Sequence, residues 1–75
     1  MYFHEALEHV VRGRMLVFRE GWNGYKSGLR MHVQAQFPDE NSKMSNPYLF
    51  MEVEGERTPW SPSNLDLFAK DWRLV

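Results

Sequence analysis

Cysteine is absent from all 75 residues, so neither a disulfide nor a thiolate metal site can hold this chain together. Histidine is scarce. The three residues fall at 4, 9 and 32, and the first two stand about 140° apart on a helix, so they do not form a ligand cluster. Basic charge is not in surplus: nine Lys and Arg face ten Asp and Glu, for a net charge of −1, and no Lys/Arg stripe exists. Binding to a nucleic acid polymer needs such a stripe and is excluded as an expectation. No apolar run approaches the roughly 20 residues of a membrane span, and the N-terminus lacks the apolar core of a signal peptide. Missing too are a Gly-rich phosphate loop, a nucleophile elbow and a His-Glu-x-x-His motif. The expectation is a cytoplasmic, non-enzymatic protein with no membrane, metal, cofactor or catalytic residue.

A chain this short buries only roughly 60% of the surface its unfolded form exposes, so one core is marginal. With disulfides and metals gone, oligomerisation is the remaining compensation. Eleven aromatic residues and five Met supply the surface for it. The expectation is a single domain over residues 1–75 that forms a homo-oligomer, a dimer or a tetramer.

The patterning points to an α+β domain. Phe3, Ala6, Leu7, Val10 and Val11 fall on one face at helical period, and Gly13 offers a stop. Residues 15–18 form a short apolar run fit for a strand, followed by Gly21, Trp22, Asn23 and Gly24 as a turn. From 29 to 37 apolar and polar residues alternate, with Val33 toward a core and His32 toward water. Residues 38–47 read as a polar loop, 48–53 as a strand with aromatics on its second face, and 54–57 as a charged turn. Ser61 or Ser63 can cap a short helix that Leu65, Phe68 and Ala69 would dock, and residues 72–75 close the chain as a strand. The architecture expected is a small antiparallel sheet of about four strands with an N-terminal amphipathic helix and a short C-terminal one.

The densest stretch is Pro59, Trp60, Ser61, Pro62, Ser63, Asn64, Leu65 and Asp66, closing with Asp71 and Trp72. Two prolines pre-shape it, and its hydroxyl, amide and carboxylate oxygens can either cap a helix or bind a small polar molecule. Two readings therefore stand side by side: a buried corner that staples the C-terminus to the sheet, or an aromatic-lined pocket for a flat polar ligand. Trp72, at a strand position, reads as core. A hydrolase built on His32 or on Asp66 and Asp71 has nothing to demand it.

The ordered set Phe3-x-Glu5-Ala6-Leu7, Arg19-Glu20-Gly21-Trp22-Asn23-Gly24, Pro47-Tyr48, Pro59-Trp60-x-Pro62-Ser63-x-x-Asp66 and Ala69-x-Asp71-Trp72 resembles the Thoeris anti-defense 2 family of phage and prophage proteins. The resemblance runs nearly end to end. It implies a homo-oligomeric sponge acting in the infected bacterial cell, which binds cyclic nucleotide immune signals, glyco-cyclic ADP-ribose or cyclic oligonucleotides, without cleaving them. On that basis Trp22 or Trp60 stacks a base, and Arg19 or Arg30 meets a phosphate. Asn23, Ser61, Ser63 and Asp66 hold base edges or ribose hydroxyls, and Pro62, on a motif position of the family, belongs to the same ligand-binding set. Arg30 lies outside the family motif. Where relatives carry Lys-Gly-Met, this chain has Tyr25-Lys26-Ser27-Gly28. The alternative is a protein-binding module that inhibits a host defence protein and presents an exposed aromatic face.

Overall fold

The computed structural model describes residues 1–22, 30–41 and 43–75. The expected turn at Asn23 and Gly24, the segment from Tyr25 to Gly28 and the strand position Leu29 lie outside the described residues. The order is α1 (Phe3–Gly13), β1 (Val17–Arg19), β2 (Met31–Gln36), β3 (Tyr48–Val53), β4 (Glu56–Pro59), α2 (Asn64–Phe68) and β5 (Trp72–Leu74). The strands make one antiparallel sheet in the order β4-β3-β2-β1-β5. The α+β class with a helix toward each end of the sequence stands; among the described residues there are five strands rather than about four.

The extra strand is β4, which occupies the end of the stretch read as a charged turn. Only Glu54 and Gly55 turn the chain, with φ of 51° and 88°, so β3 and β4 are joined by the tightest hairpin loop. Glu is an uncommon residue at positive φ, which is why the turn looked longer than it is.

Helix α1 lays Phe3, Ala6 and Val10 against Val17, Val33 and Trp72, and these six buried residues form the core. Val11, expected on the same stripe, sits at its edge and stays exposed. Glu5 Oε1 accepts the Tyr2 N–H at 3.0 Å and so satisfies one orphan donor of the first turn. The helix ends one residue later than the glycine suggested. Gly13 is its last residue, and the left-handed position falls on Arg14 at φ 52°. The Met15 N–H then reaches back to the His9 carbonyl at 3.2 Å.

The second sheet face is not the wet face expected. His32 is buried, 4% exposed, because its cross-strand partner Glu52 and its neighbours on that face cover it. Its Nε2 lies 3.5 Å from Glu52 Oε2 and 3.3 Å from Gln34 Nε2. Phe50 on the same face is buried beneath the Arg57 guanidinium, 5.0 Å from the ring centroid, whereas Tyr48 at the start of the strand stays exposed.

Candidate ligand groove and its supporting corner

The corner begins with the three tryptophans. Trp72 is fully buried at the centre, as its strand position implied, and meets Phe3, Trp22 and Trp60 at centroid distances of 5.1, 5.4 and 6.1 Å. The two indole contacts are edge-on, the arrangement the ring quadrupoles prefer. Trp22 folds back onto this cluster, 6.5 Å from Trp60, and both remain half-buried.

Beyond Trp60 the chain caps α2. Of the two serines that could do so, Ser63 is the cap: its Oγ accepts the Asp66 N–H at 3.2 Å. In return Asp66 Oδ2 accepts both the Ser63 N–H and the Ser63 hydroxyl at 2.9 Å. Five residues are too few for a self-sustaining helix, so α2 depends on outside contacts. The Trp72 indole Nε1 donates to the Asp66 carbonyl at 2.9 Å, and Arg19 Nη1 donates to Asp66 Oδ1 at 3.0 Å. Docking by Leu65 and Phe68 does not occur: they are 79% and 77% exposed, and only Ala69 packs inward. Polar anchoring has replaced apolar burial. It fixes α2 with its apolar residues facing out.

Arg19 joins this corner to the β1 turn. Its Nε donates to Asp71 Oδ1 at 2.9 Å, while Asp71 Oδ2 accepts the Gly21 N–H at 3.2 Å, one residue before Trp22. The hydrogen bond that Arg19 donates to Asp71 raises the Arg19 pKa against the opposing effect of burial. Burial alone would raise the two carboxyls, but it is outweighed. Ser63 and Arg19 hold Asp66, and Arg19 and the Gly21 N–H hold Asp71, below the ordinary carboxylate range.

Against this framework lies an open groove of about 750 Å³, within the size range of small-ligand sites. It is lined by Met44, Tyr48 and Leu49 from one stretch and by Pro59, Trp60, Ser61 and Pro62 from another. The Trp60 N–H donates to the Leu49 carbonyl at 3.2 Å, which holds the two stretches together. An apolar wall whose side-chain polar groups are the Tyr48 and Ser61 hydroxyls suits the flat face of a base better than it suits a phosphate.

Of the residues singled out in the sequence, Trp60, Ser61 and Pro62 line the groove. Ser63, Asp66, Arg19 and Trp22 brace it through the cap, the ion pairs and the indole edge. Arg30 is elsewhere: it pairs with Glu54 at 2.6 Å, at the far end of β3 from Tyr48. Asn23 lies outside the described residues. Pro59, which opens the stretch read as a possible pocket, lines the groove too, whereas Met44, Tyr48 and Leu49 were not anticipated. The signal for the last two was the two-residue turn, which sets Leu49 across from Trp60. Among the described residues no group of three or more His, Cys, Asp or Glu could hold a metal ion, and no helix is long and apolar enough to cross a membrane.

Both parts of the corner reading are thus present, a staple at Ser63, Asp66 and Trp72 and a groove in front of it. The family model for the Thoeris anti-defense 2-like domain matches residues 1–75. A protein named Thoeris anti-defense 2, from Bacillus phage SP01, is 29% identical over 85 residues, an alignment spanning 100% of this chain and 94% of that relative.

Proposed function

The chain belongs to the Thoeris anti-defense 2-like family, and from that premise we propose that it binds a cyclic nucleotide immune signal and holds it without cleavage. The observation that carries this reading is the groove itself: an open, mostly apolar trough with Trp60 in its wall and the Ser61 hydroxyl beside it. Sequestration needs affinity rather than transition-state chemistry, so a stacking surface and fixed polar groups are sufficient. Stacking a base on an aromatic side chain contributes about 1–3 kcal/mol.

In this reading Trp60 stacks a base, Ser61 meets its edge or a ribose hydroxyl, and Pro62 shapes the wall. Trp22 backs Trp60. Arg19, Ser63 and Asp66 set the position of that wall from behind. The protein acts in the cytoplasm of the infected bacterial cell as a homo-oligomer, dimer or tetramer.

Calorimetric titration with glyco-cyclic ADP-ribose and a panel of cyclic di- and trinucleotides tests the proposal, followed by heat release and chromatography of the ligand. Submicromolar stoichiometric binding with intact ligand returned supports it. A degraded ligand makes the protein an enzyme, and silence across the panel moves the function to a protein partner.

A further inference from the structure

The groove at Trp60 can seat a base, but a cyclic nucleotide also carries phosphodiester charge, which an apolar wall with two hydroxyls does not answer. Neither arginine expected to meet a phosphate is placed to do so. Arg19 is committed to Asp66 and Asp71 behind the wall, and Arg30 pairs with Glu54 at the far end of β3.

A second cleft, of about 250 Å³, adjoins the groove and is lined by Gln36, Tyr48, Phe50, Arg57, Thr58 and Pro59. The two share Tyr48 and Pro59, so they are continuous around the end of the β3–β4 hairpin. Strand register explains the placement. Gln36 stands across from Tyr48, and Phe50 across from Pro59, on the sheet face opposite the one Val33 turns to α1. Trp60, one residue beyond Pro59, turns back toward the core. Arg57 lies three residues before Trp60, about 10 Å of extended chain. We propose that Arg57 is the phosphate-binding residue of this site. The base lies on Trp60, and the phosphodiester crosses the Tyr48–Pro59 sill to reach the Arg57 guanidinium beside Gln36.

The guanidinium is already oriented for that contact. It lies 5.0 Å from the Phe50 ring centroid, and its Nε donates to Glu52 Oε1 at 2.7 Å. These two supports hold the head while the side chain stays 60% exposed. The bond uses Nε and leaves the terminal Nη pair for two parallel hydrogen bonds to phosphate oxygens. A head fixed in advance loses less freedom when a ligand arrives. Glu52 does not cancel the site. Its Oε1 turns to Arg57 and its Oε2 to the buried His32, 3.5 Å away, and it does not line the cleft.

This inference rests on the proposed function and deepens it, because it makes Arg57 the residue that favours a phosphate-bearing signal over its nucleoside. Arg57 and Glu52 also face each other across the hairpin, but an ion pair this exposed adds little to stability, so binding and folding can be told apart.

Calorimetric titrations with the cyclic nucleotide panel test it on the full chain, Arg57→Gln and Arg57→Lys. Arg12→Gln, on the exposed side of α1, is the control for the same loss of charge. The expected result is about a tenfold loss of affinity in Arg57→Gln at a nearly unchanged melting temperature, and the parent's affinity in Arg12→Gln. Arg57→Lys keeps the charge without the fork, so it should fall between the two and retain the salt dependence that Arg57→Gln loses. Parent affinity and parent salt dependence in Arg57→Gln overturn the proposal. Proton–nitrogen spectra of the arginine Nε–H groups read the site with no cyclic nucleotide present. Millimolar pyrophosphate should move the Arg57 signal, identified by its loss in Arg57→Lys, and leave the Arg12 signal in place. A silent panel with a moving Arg57 signal would sink the sponge reading and keep the anion site. An Arg57 signal that stays put, or moves no more than that of Arg12, overturns the proposal.

Discussion

Replacing Arg19 with Ala should remove more stability than any other single charge change in the chain. The guanidinium gives one hydrogen bond to Asp71 and one to Asp66, at 2.9 and 3.0 Å. Hydrogen bonds to charged groups contribute about 1.5–3 kcal/mol where solvent is excluded. Here the side chains are 24%, 14% and 30% exposed for Arg19, Asp66 and Asp71, so screening brings each bond down to about 1 kcal/mol. Adding the cost of two carboxylates left close together gives a total of about 2–3 kcal/mol. In a domain of this size that lowers the melting temperature by roughly 10–20 °C at fixed protein concentration. The pH dependence has a definite sign. Both carboxyls titrate lower when folded than when unfolded, so their contribution is complete above the ordinary carboxylate value, about pH 4, and is lost as pH falls through their depressed folded values. Melting curves of the parent and Arg19→Ala should therefore converge below about pH 4. Arg30→Ala is the control, because its ion pair with Glu54 is largely exposed and contributes less than about 1 kcal/mol. Melting of Arg19→Ala with the parent at pH 7, or a gap that persists undiminished in acid, would show that Arg19 does not brace the corner through these carboxylates.

Gly55→Ala should cost about 1 kcal/mol in urea unfolding, through its φ of 88° and not through a clash, since no atom lies within 4 Å of the added methyl. A loss under a few tenths would mean that the turn relaxes. Trp60→Phe should weaken signal binding about tenfold while keeping the contact with Phe3 and Trp72, because a smaller ring stacks less surface. Trp72→Phe should do the reverse. It loses the bond to the Asp66 carbonyl and lowers the melting temperature, yet it leaves the affinity of the remaining folded protein within about twofold. Equal effects of the two substitutions on affinity would contradict the division between groove and core.

The helix, four of the five strands and the buried Trp72 were legible because period and alternation carry them. Phe3, Ala6 and Val10 repeat at helical spacing, and Val33 sits in an alternating run. The cap was legible in its chemistry but not in its choice, since Ser61 and Ser63 satisfy the same rule until the fold selects one. The groove was only half visible. Trp60, Ser61 and Pro62 announced themselves by composition, whereas Tyr48 and Leu49 join them through hairpin register, which depends on reading Glu54 and Gly55 as the whole turn. Two errors share a cause. His32 is buried although its strand face looked polar, and Leu65 and Phe68 are exposed although they looked like anchors. In both cases neighbours distant in sequence, Glu52 for the first and Arg19 with Trp72 for the second, decide the outcome.

The proposed function requires that the protein capture an immune signal and keep it whole. The most direct measurement is titration with glyco-cyclic ADP-ribose and the cyclic oligonucleotide panel, with chromatography of the ligand after the protein is denatured. The expected result is a submicromolar dissociation constant for at least one of these signals and full recovery of the unaltered molecule. Absence of binding across the panel, or recovery of a hydrolysed product, would contradict it.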